Sequence, residues 1–225
     1  GHGRGVHRRG ILMKVIKCPD RKECKRCDLA AGEMDEVLAA LKAGELIVFP
    51  TDTLYGIGAD PFKEASVKKV FVAKNRPFDM PLTIAVSNEK MMESVAVLND
   101  NARKLIRKFM PGPVTIMLTK KPTIPDILTS GSNSVGIRIP EHPLSLGLID
   151  RFGPITATSA NLHSHKDPTD ASIPKKDLKD HVAICIDCGR TKYAAPSTIV
   201  DVSDGEVEVI RKGVLSQEEI EDALR

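Results

Sequence analysis

Leu46-Ile47-Val48-Phe49-Pro50-Thr51-Asp52-Thr53-Leu54-Tyr55-Gly56-Ile57-Gly58-Ala59-Asp60-Pro61 is the stretch on which the reading of this chain turns. Its first four residues form an unbroken apolar run, which predicts a buried strand that Pro50 brings to an end. Behind the proline come hydroxyls, a carboxylate, a tyrosine and two glycines. Open α/β sheets bind ligands beyond their strand ends, so this polar loop is a candidate site. The same residues suit a plain turn, because Thr and Asp satisfy nearby backbone groups and Gly adopts φ > 0. The choice depends on what surrounds the stretch.

Upstream, Met34, Val37, Leu38 and Leu41 recur at helical spacing, and Gly44 marks a stop. Downstream, Val67, Val70 and Phe71 predict a helix over 63–72, closed near Arg76-Pro77 because the residue before a proline avoids helix. Strands are expected at 14–17, 82–86, 114–118, 135–139, 155–158, 182–187, 198–202 and 207–211. Helices are expected at 88–95, 99–109, 143–151 and 217–224, and the whole reads as an α/β fold. The polar loop 162–172, with its Pro168-Thr169 step, is expected to act as a lid. In the 135–139 strand, alternation places Val135, Ile137 and Ile139 on one face and Ser134, Gly136 and Arg138 on the other. Gly136 would leave a gap between a hydroxyl and a guanidinium, which suits a ligand lying on the strand. The competing reading pairs Arg138 with a structural carboxylate.

Composition narrows the function classes. The chain has 225 residues and 41% hydrophobic content, ample for a core, and no apolar run approaches the ~20 residues of a membrane span. Aromatics are only 4% and tryptophan is absent, so base stacking cannot be widespread, and a net charge of +3 suits an anionic ligand better than a broad nucleic-acid footprint. A cytoplasmic protein is expected. Residues 1–12, basic and without apolar periodicity, read as a leader or solvated tail ahead of Met13. The expected division is a leader and cysteine-containing segment over 1–32 and a catalytic domain over 33–225.

The cysteines number five, an odd count that argues against a secreted disulfide framework. Cys24 with Cys27 and Cys185 with Cys188 have the spacing of two zinc knuckles. Against a zinc site stands the strand-like setting of Cys185, which suits an ordinary buried thiol. No Walker A pattern, complete Gly-x-Gly-x-x-Gly, Gly-x-Ser-x-Gly or His-Glu-x-x-His occurs. Strand-end hydroxyls and isolated cations (Lys74, Arg76, Arg138, Arg211) favour catalysis by positioning and charge neutralisation over a side-chain nucleophile.

Taken together, several segments resemble the YrdC-like family of threonylcarbamoyl-adenylate synthases. They are Pro50–Gly58, Lys74-x-Arg76-Pro77 with Pro81-Leu82, Pro111–Thr115, Ser134–Pro140 with His142-Pro143, Ser159-Ala160-Asn161, Pro196–Asp201 and Ile210–Gly213, in the family's order over about 33–215. The resemblance implies a twisted mixed parallel and antiparallel sheet, with helices around a concave basic cavity. It implies that L-threonine, bicarbonate and ATP, with Mg2+, give threonylcarbamoyl-adenylate and pyrophosphate, and that a partner complex passes the threonylcarbamoyl group to tRNA. Carried over by position, Lys74 and Arg76 are the catalytic signature pair. Thr53, Arg138, Ser159 and Ser197 fall at threonine-contacting places, and Arg76, Ser134, Asn161, Thr169 and Arg211 at ATP-contacting ones. Met80 departs from the family, which usually carries a polar or basic residue there, and Cys188 stands where a glycine is common. Two other classes stay open, an RNA-binding module and a carbamoyl-adenylate-forming enzyme with another substrate.

Overall fold

The structure, a computed structural model, describes residues 10–19 and 29–225. In chain order the elements are β1 (Lys14–Lys17), α1 (Ala31–Lys42), β2 (Ile47–Phe49), β3 (Gly56–Gly58), α2 (Glu64–Lys74), β4 (Thr83–Ala85), α3 (Glu89–Glu93), β5 (Ala96–Val97) and α4 (Asp100–Phe109). There follow β6 (Val114–Lys120), β7 (Ser134–Arg138), α5 (Pro143–Phe152), β8 (Ile155–Thr156), β9 (Thr158–Ser159), α6 (Ser172–Asp177), β10 (Ile184–Asp187), β11 (Thr198–Asp201), β12 (Glu208–Arg211) and α7 (Gln217–Leu224). Capping chemistry fixes several helix starts. Asn88 Oδ1 accepts from Met91 N at 2.8 Å, Asn99 Oδ1 accepts from Ala102 N at 2.9 Å, and Ser216 with Glu219 closes a capping box on α7. Among the described residues no helix is long and apolar enough to cross a membrane.

The strands form two mixed sheets, one ordered β1-β10-β2-β3-β9 and the other β12-β11-β6-β7-β4-β8 with β5 on β6. The apolar run around β2 is explained by cover on both faces. Ile47 and Phe49 pack with Val37 and Leu41 of α1 and Leu144 and Leu148 of α5, whereas Leu46 and Val48 join the larger cluster with Val67 and Phe71 of α2. A side chain at Gly58 would begin 2.8 Å from Ile47 Cγ1, so the close approach of β3 to β2 requires glycine there.

The second sheet buries only one face in that larger core. Ile84, Ile116, Leu118, Val135 and Ile137 point into it. The alternating residues Thr83, Ala85, Thr115, Met117, Gly136 and Arg138 line a cavity instead. The chain crosses between the sheets within the single strand expected at 155–158. Ile155 and Thr156 pair with β4, Thr158 and Ser159 pair with β3, and Ala157 N donates to Thr83 O at 2.9 Å.

β1 is the edge strand beside β10, and Ile16, Cys18 and Leu29 pack in the same cluster as α1, so residues on both sides of position 33 share one core. Cys18 forms a disulfide with Cys188, with 5.0 Å between their Cα atoms. Cys185 is fully buried, and burial pushes its thiol up to about 12, which disfavours the thiolate a metal needs. Cys185 packs in the larger core cluster, whereas Cys188, just past the end of β10, packs against the smaller one. The described residues therefore do not bring Cys185 and Cys188 together as a ligand pair, and Cys24 and Cys27 lie outside them.

Candidate active site

The cavity measures about 540 Å³. Its walls come from the loop after β2, the turn after α2, the open face of the second sheet, β9 and β12. Of the residues expected at the site, Thr53, Arg76, Arg138, Ser159, Ser197 and Arg211 line it. Lys74, Ser134, Asn161 and Thr169 are not on its wall.

The loop after β2 is strapped from several sides. Ser145 Oγ of α5 donates to Pro50 O, Tyr193 N donates to Asp52 O at 2.8 Å, Thr191 Oγ1 donates to Thr53 O at 2.6 Å, and Tyr55 N donates to Pro168 O at 2.9 Å. The last bond fastens the 162–172 loop, expected as a lid, to the cavity wall. Tyr55 is buried with its hydroxyl donating to Gly189 O at 2.7 Å, and burial raises its pKa. The loop is thus a site wall held by tertiary bonds, and the plain-turn reading does not account for it.

At the floor, Arg138 Nη1 donates to Thr53 Oγ1, and Nη2 donates to Asp52 Oδ1 and, at 3.3 Å, to Gly112 O. Arg138 is 5% exposed and Asp52 1%. Burial lowers the arginine pKa and the carboxylate opposes it. The structural-carboxylate reading of Arg138 therefore holds, and the same side chain also lines the cavity. The gap expected over Gly136 is taken up by neighbours, because a side chain there would start 3.0 Å from Met117 Sδ and from Thr83 Cγ2. The open volume of the cavity lies beyond those side chains.

α2 ends with Asn75 in the left-handed region at φ 50°, and Arg76 N bonds back to Phe71 O at 2.9 Å. This reversal buries Lys74 and sends Arg76 to the cavity. Lys74 Nζ donates to Ser159 O, to Asn161 O and Asn161 Oδ1 at 2.9 Å, and to Ser159 Oγ at 3.3 Å. Burial, followed by the nearby Arg76, pushes Lys74 down to about 7, against the hold of those oxygens on its charged form. Lys74 thus fixes the Ser159–Asn161 turn from behind. Asn161 Nδ2 in turn holds His165 O and Lys166 O, both at 3.1 Å.

Arg76 itself donates to Met80 O at 3.0 Å and Pro81 O at 2.9 Å. Arg211 donates to Ser197 O at 2.7 Å and to Ser197 Oγ at 3.1 Å, and Ser197 Oγ lies 2.7 Å from Thr115 Oγ1. Burial is the main cause lowering the pKa of both arginines; at Arg211 the nearby Asp167 carboxylate opposes it, and Arg138 and Arg76 lower it further, so the three cations and Asp167 act on one another across the cavity. Ser134 sits at the far end of β7, its hydroxyl 3.1 Å from Ser132 Oγ. Thr169 O accepts from Thr191 N at 2.9 Å. Sequence reasoning missed Asp52 as the partner of Arg138, and Thr115 as the link to Ser197. The signal that could have found Thr115 is the alternation of the 114–118 run, which sets it on the face opposite Val114, Ile116 and Leu118.

Residues 39–213 match the Sua5/YciO/YrdC family model, which carries the description "Telomere recombination". The chain belongs to the Sua5/YciO/YrdC family. A putative threonylcarbamoyl-AMP synthase of Methanocaldococcus jannaschii is 39% identical over 92% of this chain and 96% of its own length. A protein of the same name from Mycobacterium tuberculosis is 36% identical over 95% and 96%. Among solved structures, P. abyssi Sua5 complexed with L-threonine superposes with a TM-score of 0.87 at 32% identity, over 94% of this chain and 61% of that one. The present chain thus spans about three fifths of the Pyrococcus abyssi protein. E. coli YciO shares the fold, with a TM-score of 0.81 at 21% identity, over 93% of this chain and 100% of that one. In this Sua5/YciO/YrdC chain Met80 lines the cavity, and its backbone carbonyl, not its side chain, engages Arg76.

Proposed function

We propose that this cavity joins L-threonine, bicarbonate and ATP into threonylcarbamoyl-adenylate, releasing pyrophosphate and water. The observation that carries the reading is the split among its arginines. One buried guanidinium is bonded to a carboxylate, whereas the hydrogen bonds of the two others go to neutral oxygens and Asp167 acts on Arg211 only at longer range. The first suits a single carboxylate, and the other two suit a polyphosphate.

In this reading Arg138, Thr53, Ser159 and Ser197 hold threonine. Its amine attacks the carbon of bicarbonate, water leaves, and a carbamate oxygen then attacks the α-phosphate of ATP as pyrophosphate departs. Arg76 and Arg211 offset charge on the leaving group. Ser134, Asn161 and Thr169, which lie off the cavity wall, would meet only a nucleotide that extends past it, and Lys74 acts by fixing Ser159 and Asn161. Mg2+ enters with ATP as part of the substrate. The product is passed to tRNA by a partner complex. Pyrophosphate release should require threonine and bicarbonate together when pure protein is given Mg–ATP. Equal release without threonine would defeat the proposal.

A further inference from the structure

Asp52 is enclosed, with 0% side-chain exposure, and does not line the cavity, whereas its partner Arg138 does. The carboxylate cannot touch a ligand, yet it grips the group that can. The grip is partial, because Asp52 Oδ2 and Arg138 Nε are buried with no hydrogen-bond partner among the described residues. A two-point carboxylate–guanidinium fork would have used more of both groups. The backbone around Asp52 is held separately, by Tyr193 N on Asp52 O and Thr191 Oγ1 on Thr53 O. Anchoring the loop therefore does not require the carboxylate. A buried guanidinium left without a counter-ion would draw in any small anion able to reach it.

We propose that Asp52 is the resident counter-ion of Arg138, a positioning residue that neutralises the guanidinium in advance. The cavity floor then binds a carboxylate-bearing ligand through directed N–H groups and discriminates against small free anions. In exchange, Asp52 weakens the hold on the ligand's own carboxylate. The inference deepens the proposed function, and it rests on that reading only for the identity of the amino acid.

The test compares the parent with Asp52→Asn, which keeps the shape and removes the charge, and with the double variant Asp52→Asn/Arg138→Met. Melting temperatures are measured as sodium formate replaces sodium chloride at constant ionic strength, and L-threonine is titrated calorimetrically. The parent should be indifferent to formate. Asp52→Asn should melt lower, recover with formate, and bind L-threonine about tenfold more tightly than the parent. The double variant should regain stability without responding to formate. Formate-independent melting of Asp52→Asn, or weaker threonine binding by it, would overturn the inference. So would an Asp52→Asn protein that stays unfolded in formate while the double variant folds. If formate rescues Asp52→Asn but neither protein binds L-threonine, the counter-ion stands and the substrate reading falls.

Discussion

The floor and the rim of the cavity use the same side chain in opposite ways. At the floor, Arg138 is 5% exposed and meets a carboxylate. At the rim, Arg76 and Arg211 are more open, and carbonyl or hydroxyl oxygens hold them. A cation neutralised in advance reads the shape of what binds to it, because its N–H directions are set and its net charge is offset. A cation held by neutral acceptors keeps its charge for the ligand, where dispersed negative charge on a phosphate can use it.

The largest effect should follow from breaking the floor. Arg138→Ala leaves Asp52 buried without a partner and should lower stability by about 3 to 5 kcal/mol, read as a shift in the urea midpoint. In protein that still folds, affinity for threonine should drop roughly 10- to 150-fold, since a hydrogen bond to a charged group contributes about 1.5 to 3 kcal/mol. ATP affinity measured without threonine should change little. Loss of ATP binding with threonine binding kept would reverse the assignment of floor and rim.

The rim should behave differently. Arg76→Ala removes charge but leaves no buried carboxylate behind, so turnover should fall on the order of 100-fold while the melting temperature stays close to the parent's. Unchanged turnover in a folded variant would remove Arg76 from the reaction. A floor that reads shape should also prefer threonine to serine, which lacks one methyl group. That preference should amount to about 1 to 3 kcal/mol in kcat/KM, measured as pyrophosphate release with each amino acid. Equal use of serine would mean that nothing packs on the methyl.

The smallest effect joins the two regions. Thr115→Val deletes the hydroxyl that meets Ser197, which also carries Arg211. It should cost about 1 kcal/mol, seen as a several-fold loss in kcat/KM with the fold intact. A Thr115→Val protein as active as the parent would show that floor and rim act independently.

Much of this architecture is legible in the sequence, for physical reasons. The apolar runs at 46–49, 82–86, 114–118 and 135–139 are strands because their core-facing side chains fit no other pleated arrangement. The alternation in β7 correctly turned Arg138 away from the core. Short elements were not legible. β3 is two glycines around an isoleucine, β5 is a two-residue ladder that exists only through its partner, and the strand expected at 155–158 gave no sign of its division into β8 and β9. α6 begins where the loop read at 162–172 ends, and it is not assigned from sequence because its apolar pattern is too short to register. The pairings Cys18–Cys188 and Asp52–Arg138 join residues far apart in the chain, and no local pattern announces such partners. The sequence could raise the reading that Arg138 is paired, but it could not name Asp52.

Ala157 deserves a different kind of reading. The residues before it belong to one sheet and those after it to the other, so the two walls of the cavity are spaced by a single amino acid. Most of the pocket is specified by what its side chains are, and here it is specified by how many residues there are. Insertion of one residue between Thr156 and Thr158 would turn Ser159 to the opposite side of its strand and carry its hydroxyl out of reach of Lys74. Surface loops tolerate changes of length; this connection works as a gauge and does not.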